Sequence, residues 1–431
     1  MNFKKEKNKK NRLKTVFCYV LFILFFYTDI NTYFSTFYLK TALSLLLEFV
    51  VVIAYFVIFK KRTIKSKGIV IPIILIVGIL VSSIFSAETS MYPFQLAFII
   101  LNSFLFACCV EKNKLLTIYC NFFAFLSVYS IIFLLFCYFA PEISQRLFPT
   151  FSIVNSRYIE GNLTFINGFF SNVHISKYSG IELRNYGSFS EPGKYQFFLI
   201  LAIIIDGFYL NNKHKNFRIL AYSIACIFTF STAGLIVLFL TLFLYFFATV
   251  KKKPSSTIWA VAFFATFFAI LLSNSEISHA IEKSITKVFS GGNSFSSRYG
   301  SFVGNLFSFF ERPIFGWGYT GFLNEGSFFK QYSEDNTNTL LTVFAMYGIF
   351  NGVAYFYLFL NFSKAISGRT FIKLMVLVVL ILSSSNENFT DSAVLFMILF
   401  AFLQRNETAL TKQKINGVSS LGVRKTSYCV I

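Results

Sequence analysis

The amino-acid sequence predicts an all-α fold: a polytopic membrane helix bundle of about 12 transmembrane helices with two large extracytoplasmic loops, forming a single integral membrane domain over 1–431. Of the 431 residues, 55% are hydrophobic and only 13% are charged, which is about half the charged share of a soluble domain. Apolar windows of roughly 17–25 residues, the length that the hydrocarbon core requires, recur along the chain. These windows are continuous rather than alternating, so helices are favoured over barrel strands.

The apolar windows set the order of the predicted spans. They run approximately over 16–30, 41–59, 69–86, 94–110, 115–140, 195–210, 217–231, 234–250, 257–273, 338–361, 371–385 and 391–404. The two long connections between them, 141–194 and 274–337, are the predicted large outer loops. Long connections in a compact protein usually carry function, so we expect these two loops to carry the site.

Basic residues set the predicted orientation. Alternate connections and both tails hold 28 of the 39 Lys and Arg residues, and the other side holds 11. Because basic residues concentrate on the cytoplasmic side, both termini are predicted to be cytoplasmic. The net charge of +20 is then a topology signal and an attraction to anionic membrane lipid, and it does not indicate nucleic acid as a partner.

The end of the first long loop carries a cluster of charge. Arg184, Glu191 and Lys194 lie where the loop enters the next predicted span. Charge close to hydrocarbon is costly, so such residues usually have a partner or a function. The alternative is a structural ion pair at a helix start, since Pro192 suits the first turn of a helix.

The second long loop carries two arginines and a glycine-rich aromatic segment. Arg298 has the planar, permanently charged fork that suits a pyrophosphate, and it equally suits an anchor at lipid headgroups. Arg312 precedes a proline, so it can simply begin a turn. Trp317, between Gly316 and Gly318, can stack on a sugar or lie in the interfacial aromatic belt. The two glycines permit a tight turn and close backbone approach.

Polar residues mark the junction of the second loop with the next span. Asp335 is a candidate to accept a proton or to orient an acceptor hydroxyl. Asp335 and Asn338 are equally suited to cap the helix that follows. Glu48 lies inside a predicted span, where a carboxylate is costly, so it is a functional candidate. Glu387 and Asp391 mark the last outer turn, where they can close the site.

The sequence predicts neither a metal nor a cofactor. The three histidines, His174, His214 and His279, are far apart in the chain, and no His/Cys spacing typical of a metal site occurs. No phosphate-binding loop of the nucleotide-hydrolysing type is present in the sequence either.

Two stretches resemble a known family of bacterial surface-polysaccharide enzymes. The longer stretch comprises Ser297-Arg298, Arg312-Pro313-Ile314-Phe315-Gly316-Trp317-Gly318, Asn338 with Leu341, Gly348-Ile349 and Gly352. The shorter stretch is Gly187-Ser188-Phe189-Ser190-Glu191-Pro192. On these residues the chain resembles the O-antigen polymerase and ligase family, and most of all a capsular or exopolysaccharide repeat-unit polymerase. Thr337 stands where many members carry a histidine, which weakens the ligase interpretation more than the polymerase one.

The resemblance implies glycosyl transfer at the outer leaflet of the bacterial cytoplasmic membrane. The implied substrates are undecaprenyl-pyrophosphate-linked oligosaccharides, and a chain-length regulator and a flippase are the further partners that it implies. Under this hypothesis Arg184 and Arg298 bind the pyrophosphate, and the candidates to activate or orient the acceptor are Glu191 and Asp335. The remaining predicted substrate-binding residues are Arg312, Lys194, Trp317 and Asn338. The alternatives are a polysaccharide flippase or another transporter, and an O-antigen-type ligase.

Overall fold

The computed structural model describes residues 2–29, 31–32, 41–59, 66–154, 162–175, 183–210, 212–250, 293–324, 327–333 and 336–404. The predicted span 257–273 and the candidate catalytic residue Asp335 lie outside these ranges. Helices make up most of the described chain. The prediction of a mainly helical protein is therefore confirmed.

The helices and strands follow one another in this order: α1 (Asn2–Thr28), α2 (Thr41–Phe59), α3 (Ser66–Phe85), α4 (Tyr92–Cys109), α5 (Lys112–Phe139), α6 (Pro141–Leu147), β1 (Thr150–Val154), β2 (Asn162–Asn167), β3 (Asn172–Ile175), β4 (Leu183–Gly187), α7 (Pro192–Ile204), α8 (Lys215–Ile227), α9 (Thr232–Val250), α10 (Asn293–Glu311), α11 (Gly318–Leu323), α12 (Phe328–Tyr332), α13 (Thr339–Ile366), α14 (Thr370–Ser384) and α15 (Ala393–Ala401). A π-helical turn, Ile205–Tyr209, extends α7.

Four of the described helices are long and apolar enough to cross a membrane: Gly68–Phe85 within α3, then α4, α5 and α13. Three shorter apolar helical segments are Leu43–Ile58, Ala233–Ala248 and Thr370–Ser384. The protein therefore has the helices of a membrane protein. The total of about twelve spans and the orientation of the termini stay predictions.

Helices α7 and α15 form the centre of the bundle. Every residue of α15 is buried, and so is almost every residue of α7 from Tyr195 onward. A helix that is apolar around its whole circumference is stable only when other helices surround it. Accordingly, α15 packs on α4, while α7 packs on α8 and α9.

A four-stranded sheet occupies part of the first predicted loop, where the sequence indicated no regular structure. The strands are antiparallel in the order β1-β2-β3-β4, and β4 also packs on α5 and α7. Each strand has only four to six residues. Strands this short give too little period-two alternation to be recognised in a polar segment. The described chain is therefore mainly helical, as predicted, with one small sheet that the prediction did not include.

The second predicted loop is also partly regular, since α10, α11 and α12 lie within 274–337. Helix α10 packs on α12 and on α13. The part of this segment that precedes α10, residues 274–292, lies outside the described residues.

Helix α13 is broken at Gly348, whose φ of 76° and ψ of −175° are not helical. The glycine-rich segment before α11 supplies hydrogen-bond partners at the break. The Trp317 N–H donates to the Ala345 carbonyl oxygen at 3.0 Å, and the Ile349 N–H donates to the Pro313 carbonyl oxygen at 2.8 Å. Because backbone polar groups in an apolar environment must be paired, this segment lets the helix break without leaving these groups unpaired.

Gly316 makes that close contact possible, and Gly318 permits a similar close approach to Ser86 at the end of α3. Their φ angles are 72° and 69°, in the region that favours glycine. A Cβ atom on Gly316 would lie 2.6 Å from the backbone nitrogen of Tyr347, and a Cβ atom on Gly318 would lie 2.8 Å from Cβ of Ser86. The prediction that these glycines serve a tight turn and close backbone approach is thus confirmed.

Candidate functional site

The start of α7 and the turn between α14 and α15 bring charged side chains together at the predicted outer end of the bundle. Glu191 precedes α7 and Lys194 lies in its first turn, with 3.8 Å between Lys194 Nζ and Glu191 Oε1. Glu387 lies in the turn between α14 and α15, against Gly193. A Cβ atom on Gly193 would be 2.7 Å from the carboxyl carbon of Glu387. Because Gly193 has no side chain, Glu387 can lie against the start of α7.

Glu191 and Glu387 form a carboxyl pair. Burial raises the pKa of Glu387 well above its usual range, and the charge and hydrogen bond of Glu191 raise it further. Lys194 and Arg298 act on Glu387 in the opposite direction. Two neighbouring carboxyl groups do not ionise together easily, so ionisation of Glu191 opposes ionisation of Glu387. The Glu191 side chain is 40% exposed, so the pair is accessible from outside the protein.

Lys194 is the cation that links this pair to the other acidic residues nearby. Burial acts to lower the pKa of Lys194, but Glu191, Glu387, Asp391 and Asp29 outweigh burial and the pKa is raised. Its side chain is 16% exposed. Lys194 therefore carries its charge in a partly desolvated position, where a charge interacts strongly with a bound anion.

Asp29, which the sequence did not single out, connects the end of α1 to the start of α15. Its Oδ2 atom accepts hydrogen bonds from the Ser392 hydroxyl at 2.7 Å and from the Val394 N–H at 2.9 Å. Its Oδ1 atom accepts from the Asn31 N–H at 3.0 Å. A carboxylate at a helix N-terminus stabilises the unpaired N–H groups there. Asp29 therefore fixes the turn that carries Asp391.

Arg298 reaches the cluster from the second predicted loop. It lies on α10, one turn before Ser301 and two turns before Asn305, so the three share one face. The Thr337 N–H donates to the Ser301 hydroxyl at 3.0 Å, which holds this face against the segment before α13. Arg298 is half-buried and acts electrostatically on Glu387. The structure thus brings together Glu191, Lys194 and Arg298, three of the predicted site residues.

The junction before α13 supports the same turn. Asn338 is the N-cap residue of α13, and its side-chain oxygen accepts a hydrogen bond from the Leu341 N–H at 3.0 Å. The Thr339 hydroxyl donates to the Glu387 carbonyl oxygen at 2.7 Å and accepts from the Phe389 N–H at 3.0 Å. Asn338 therefore serves as a helix cap, the alternative raised from the sequence, and contact between Asn338 and substrate stays a prediction.

Arg184 lies on β4 and fastens the sheet to the turn between α8 and α9. Its Nε–H donates to the Thr229 carbonyl oxygen at 3.0 Å, and its guanidinium also contacts the Phe230 carbonyl oxygen at 3.4 Å. The joint binding of one pyrophosphate by Arg184 and Arg298 stays a prediction. Lys194, like Arg298, acts on Glu387 of the carboxyl pair.

Arg312 and Trp317 pack on each other. The guanidinium carbon of Arg312 lies 3.9 Å from the centroid of the Trp317 ring, in a cation–π contact. The Trp317 Nε1–H donates to the Ser308 carbonyl oxygen at 2.9 Å, which fixes the ring on α10. Both side chains thus have structural contacts, and their contact with substrate stays a prediction.

His174 on β3 lies opposite Arg184 in the sheet register. Its side chain is buried, with 5% exposure. Burial lowers the pKa of His174 to about 4, and the charge of Arg184 acts in the same direction. His174 is therefore neutral at physiological pH.

Two further carboxylates lie within the bundle. Glu48 on α2 is fully buried and accepts hydrogen bonds from the Thr28 hydroxyl and from the Asn102 side chain. Asp206, in the π-helical turn, forms a buried ion pair with Arg218 on α8. Sequence reasoning identified Glu48 and missed Asp206, because a single carboxylate near the end of an apolar run is not distinguished from a residue at the membrane interface.

Among the residues that the structure describes, no three metal-ligating side chains converge on one point. The expectation that the protein needs no metal stays a prediction. Comparisons of the chain with protein-family models, with curated proteins and with solved structures found no match.

Proposed function

We propose that this protein is a membrane-embedded glycosyltransferase that joins lipid-pyrophosphate-linked oligosaccharide repeat units into a surface polysaccharide at the outer leaflet of the bacterial cytoplasmic membrane. The observation that carries the proposal is the half-buried carboxyl pair Glu191–Glu387 beside the cations Lys194 and Arg298. A transfer from a lipid pyrophosphate needs both kinds of group, since it separates a proton from the acceptor and develops charge on the leaving group.

The reaction exchanges one bond for another at the anomeric carbon of the donor. The acceptor hydroxyl oxygen forms a bond to that carbon, and the bond from that carbon to the pyrophosphate oxygen breaks. The pyrophosphate leaves with the electron pair, still attached to its lipid. The proton of the acceptor hydroxyl passes to a carboxylate, for which Glu191 is the more exposed candidate.

Lys194 and Arg298 are suited to the leaving group. Arginine presents parallel N–H donors that match phosphate oxygens, and lysine adds a compact positive charge. The N-terminus of α7 adds its N–H groups to the same place, because Lys194 lies in its first turn. Partial burial strengthens each of these interactions relative to water.

The carboxyl pair is suited to move the proton. Because ionisation of one carboxyl group opposes ionisation of the other, an ionised Glu191 beside a protonated Glu387 would accept the proton of an acceptor hydroxyl. A bound pyrophosphate near Lys194 would compete with Glu387 for the cation and favour the protonated form of Glu387. Asp335 remains a second candidate base, predicted from the sequence.

The proposal is tested in cells that lack the gene and receive variants of it. We expect Arg298→Ala to abolish long polysaccharide chains, while Arg146→Ala, the loss of an exposed arginine on α6, leaves the chain-length ladder intact. Both proteins must be present in the membrane at the wild-type level. A full-length ladder from Arg298→Ala would contradict the proposal, and polymer that forms but stays unattached in the deletion strain would indicate a ligase instead.

A transporter is the second candidate function, and the broken helix α13 favours it. Discontinuous helices and buried carboxylates such as Glu48 occur at the binding sites of secondary transporters. The two functions differ in where single repeat units accumulate when the gene is deleted. Accumulation on the outer face of the membrane supports the polymerase, and accumulation on the inner face supports the transporter.

A further inference from the structure

A group of tyrosines lies beside Asp391, next to the carboxyl pair. The rings of Tyr92, at the start of α4, and Tyr319, on α11, are stacked with their centroids 3.8 Å apart. The Tyr92 hydroxyl donates to Asp391 Oδ2 at 3.1 Å. Tyr319 and Asp391 are half-buried, so part of this aromatic and acidic surface is accessible.

A buried hydroxyl without a hydrogen-bond partner lies near the same groups. The Tyr347 side chain is 3% exposed, and its hydroxyl has no hydrogen-bond partner among the described residues. Its electrostatic neighbours are Asp391, Glu88 and Tyr319. A buried hydroxyl without a partner is costly, and a ligand that supplies a hydrogen bond would remove that cost.

The broken helix fixes two of the three tyrosines. Tyr347 immediately precedes the break at Gly348, and its backbone nitrogen lies against Gly316. Tyr319 follows directly on the segment that pairs with the break. The glycine-rich segment therefore holds Tyr319 and Tyr347 in a fixed relation.

We propose that Tyr319, Tyr347 and Asp391 form a carbohydrate subsite that binds the acceptor sugar next to the carboxyl pair. A sugar ring has an apolar face of C–H groups and a rim of hydroxyls, so it can stack on an aromatic ring while a carboxylate and a tyrosine hydroxyl bind its rim. The tyrosine ring supplies this contact at low cost in side-chain entropy. This assignment rests on the proposed glycosyl transfer.

Lys194 places this subsite beside the reacting groups. Both Asp391, which accepts a hydrogen bond from Tyr92, and Glu387 act on Lys194, so the tyrosine group and the carboxyl pair share this lysine as a neighbour. A sugar stacked on Tyr319 would then extend toward Glu191 and Glu387, where its hydroxyl can lose a proton. The donor pyrophosphate would occupy the side of Lys194 and Arg298.

The experiment compares Tyr347→Phe with the wild type. The probe is the oligosaccharide released by mild acid from the surface polysaccharide of the same cells, which carries no lipid and no pyrophosphate. Its dissociation constant is measured by calorimetry with the purified full-length protein in lipid nanodiscs. Because Tyr347→Phe removes only a costly buried hydroxyl that lacks a protein partner, we expect a thermal stability equal to or above that of the wild type and an affinity about tenfold weaker.

Tyr319→Ala removes the stacking ring and is expected to abolish detectable binding of the same oligosaccharide. Tyr332→Ala is the matched control, since Tyr332 is an exposed tyrosine in the same predicted loop that stacks on Phe307. We expect Tyr332→Ala to bind as the wild type does.

The outcomes separate the subsite from the reaction. Wild-type affinity in both Tyr347→Phe and Tyr319→Ala, with polymer still formed, would overturn the subsite and leave the glycosyl transfer standing. No binding by the wild type would overturn the subsite as well. Absence of polymer-forming activity in the wild-type protein would refute the proposed function itself, whatever the oligosaccharide binds.

Discussion

Replacement of Gly316 by alanine tests whether the glycine-rich segment is a structural support for the broken helix. The backbone of Gly316 has a φ of 72°, a conformation that costs an L-residue about 1–2 kcal/mol. The new Cβ atom would also lie 2.6 Å from the backbone nitrogen of Tyr347. Since that neighbour is backbone rather than a flexible side chain, overpacking adds about 1–3 kcal/mol.

The two contributions give a loss of about 2–5 kcal/mol in the free energy of unfolding. For a chain of 431 residues, the average unfolding entropy per residue converts this loss to a melting temperature lower by about 2–6 °C. The assay is thermal unfolding of the purified protein in detergent, followed by circular dichroism. Polymer formation should fall as well, because Tyr347 and Tyr319 lose their fixed positions.

Gly321→Ala is the matched control in the same segment. The nearest atom to a Cβ on Gly321 is 3.8 Å away, and its φ is not in the left-handed region. Alanine is favoured over glycine in a helix, so this variant should unfold at or slightly above the wild-type temperature. If Gly316→Ala unfolds at the wild-type temperature, Gly316 does not support α13 through a close contact. If Gly316→Ala unfolds at the wild-type temperature but forms no polymer, the glycine-rich segment acts on substrate directly.

Two further predictions concern His174 and Asn338. In the folded protein the pKa of His174 is lowered to about 4 from 6.5. As pH falls, the unfolded chain therefore binds a proton at His174 before the folded chain does. The free energy of unfolding decreases between about pH 6.5 and 4, by up to about 3 kcal/mol. His174→Gln should reduce the dependence of the melting temperature on pH over this range, while His214→Gln, at an exposed position, should not. An equal dependence on pH in both variants would contradict the assignment. Asn338→Ala should lower the free energy of unfolding by about 1 kcal/mol through loss of the helix cap. Asn338→Ser, which can still cap the helix, should have wild-type stability and form polymer. If Asn338→Ser restores the melting temperature but not polymer formation, Asn338 contacts substrate.

The helices could be predicted because each depends on local composition. The predicted segment 41–59 coincides with α2, and the segment 371–385 differs from α14 by one residue at each end. An apolar run of this length has few alternatives to a helix, whatever surrounds it. By contrast, the sheet depends on pairing between separate short strands, such as His174 with Arg184, and no single strand indicates it.

The candidate site could be predicted only in part, because its partners are distant in the chain. Glu191, Lys194 and Arg298 were recognised as charges beside predicted spans. Glu387 was recognised only as a residue of the last outer turn that can close the site, and its pairing with Glu191 depends on how α14 and α15 pack. Asp29 was missed for the same reason, since its partner Ser392 lies 363 residues away.

Only part of the role of the glycine-rich segment could be predicted from the sequence. The sequence indicated a tight turn at Gly316 and Gly318, and the structure has one. That the turn pairs with a break at Gly348 could not be inferred, since a lone glycine inside an apolar run equally suits an unbroken helix. The same break positions Tyr347, one of many aromatic residues within apolar runs, which no sequence pattern singles out.

The most direct test of the central claim is polymer synthesis by the purified protein in lipid vesicles that contain the cells' own lipid-linked repeat units. The wild type should lengthen the oligosaccharide and release one lipid pyrophosphate for each bond formed, both measured by mass spectrometry. Arg298→Ala and Glu387→Gln should form neither product, while Arg146→Ala should form both. Release of lipid pyrophosphate in step with chain growth by Arg298→Ala would contradict the account.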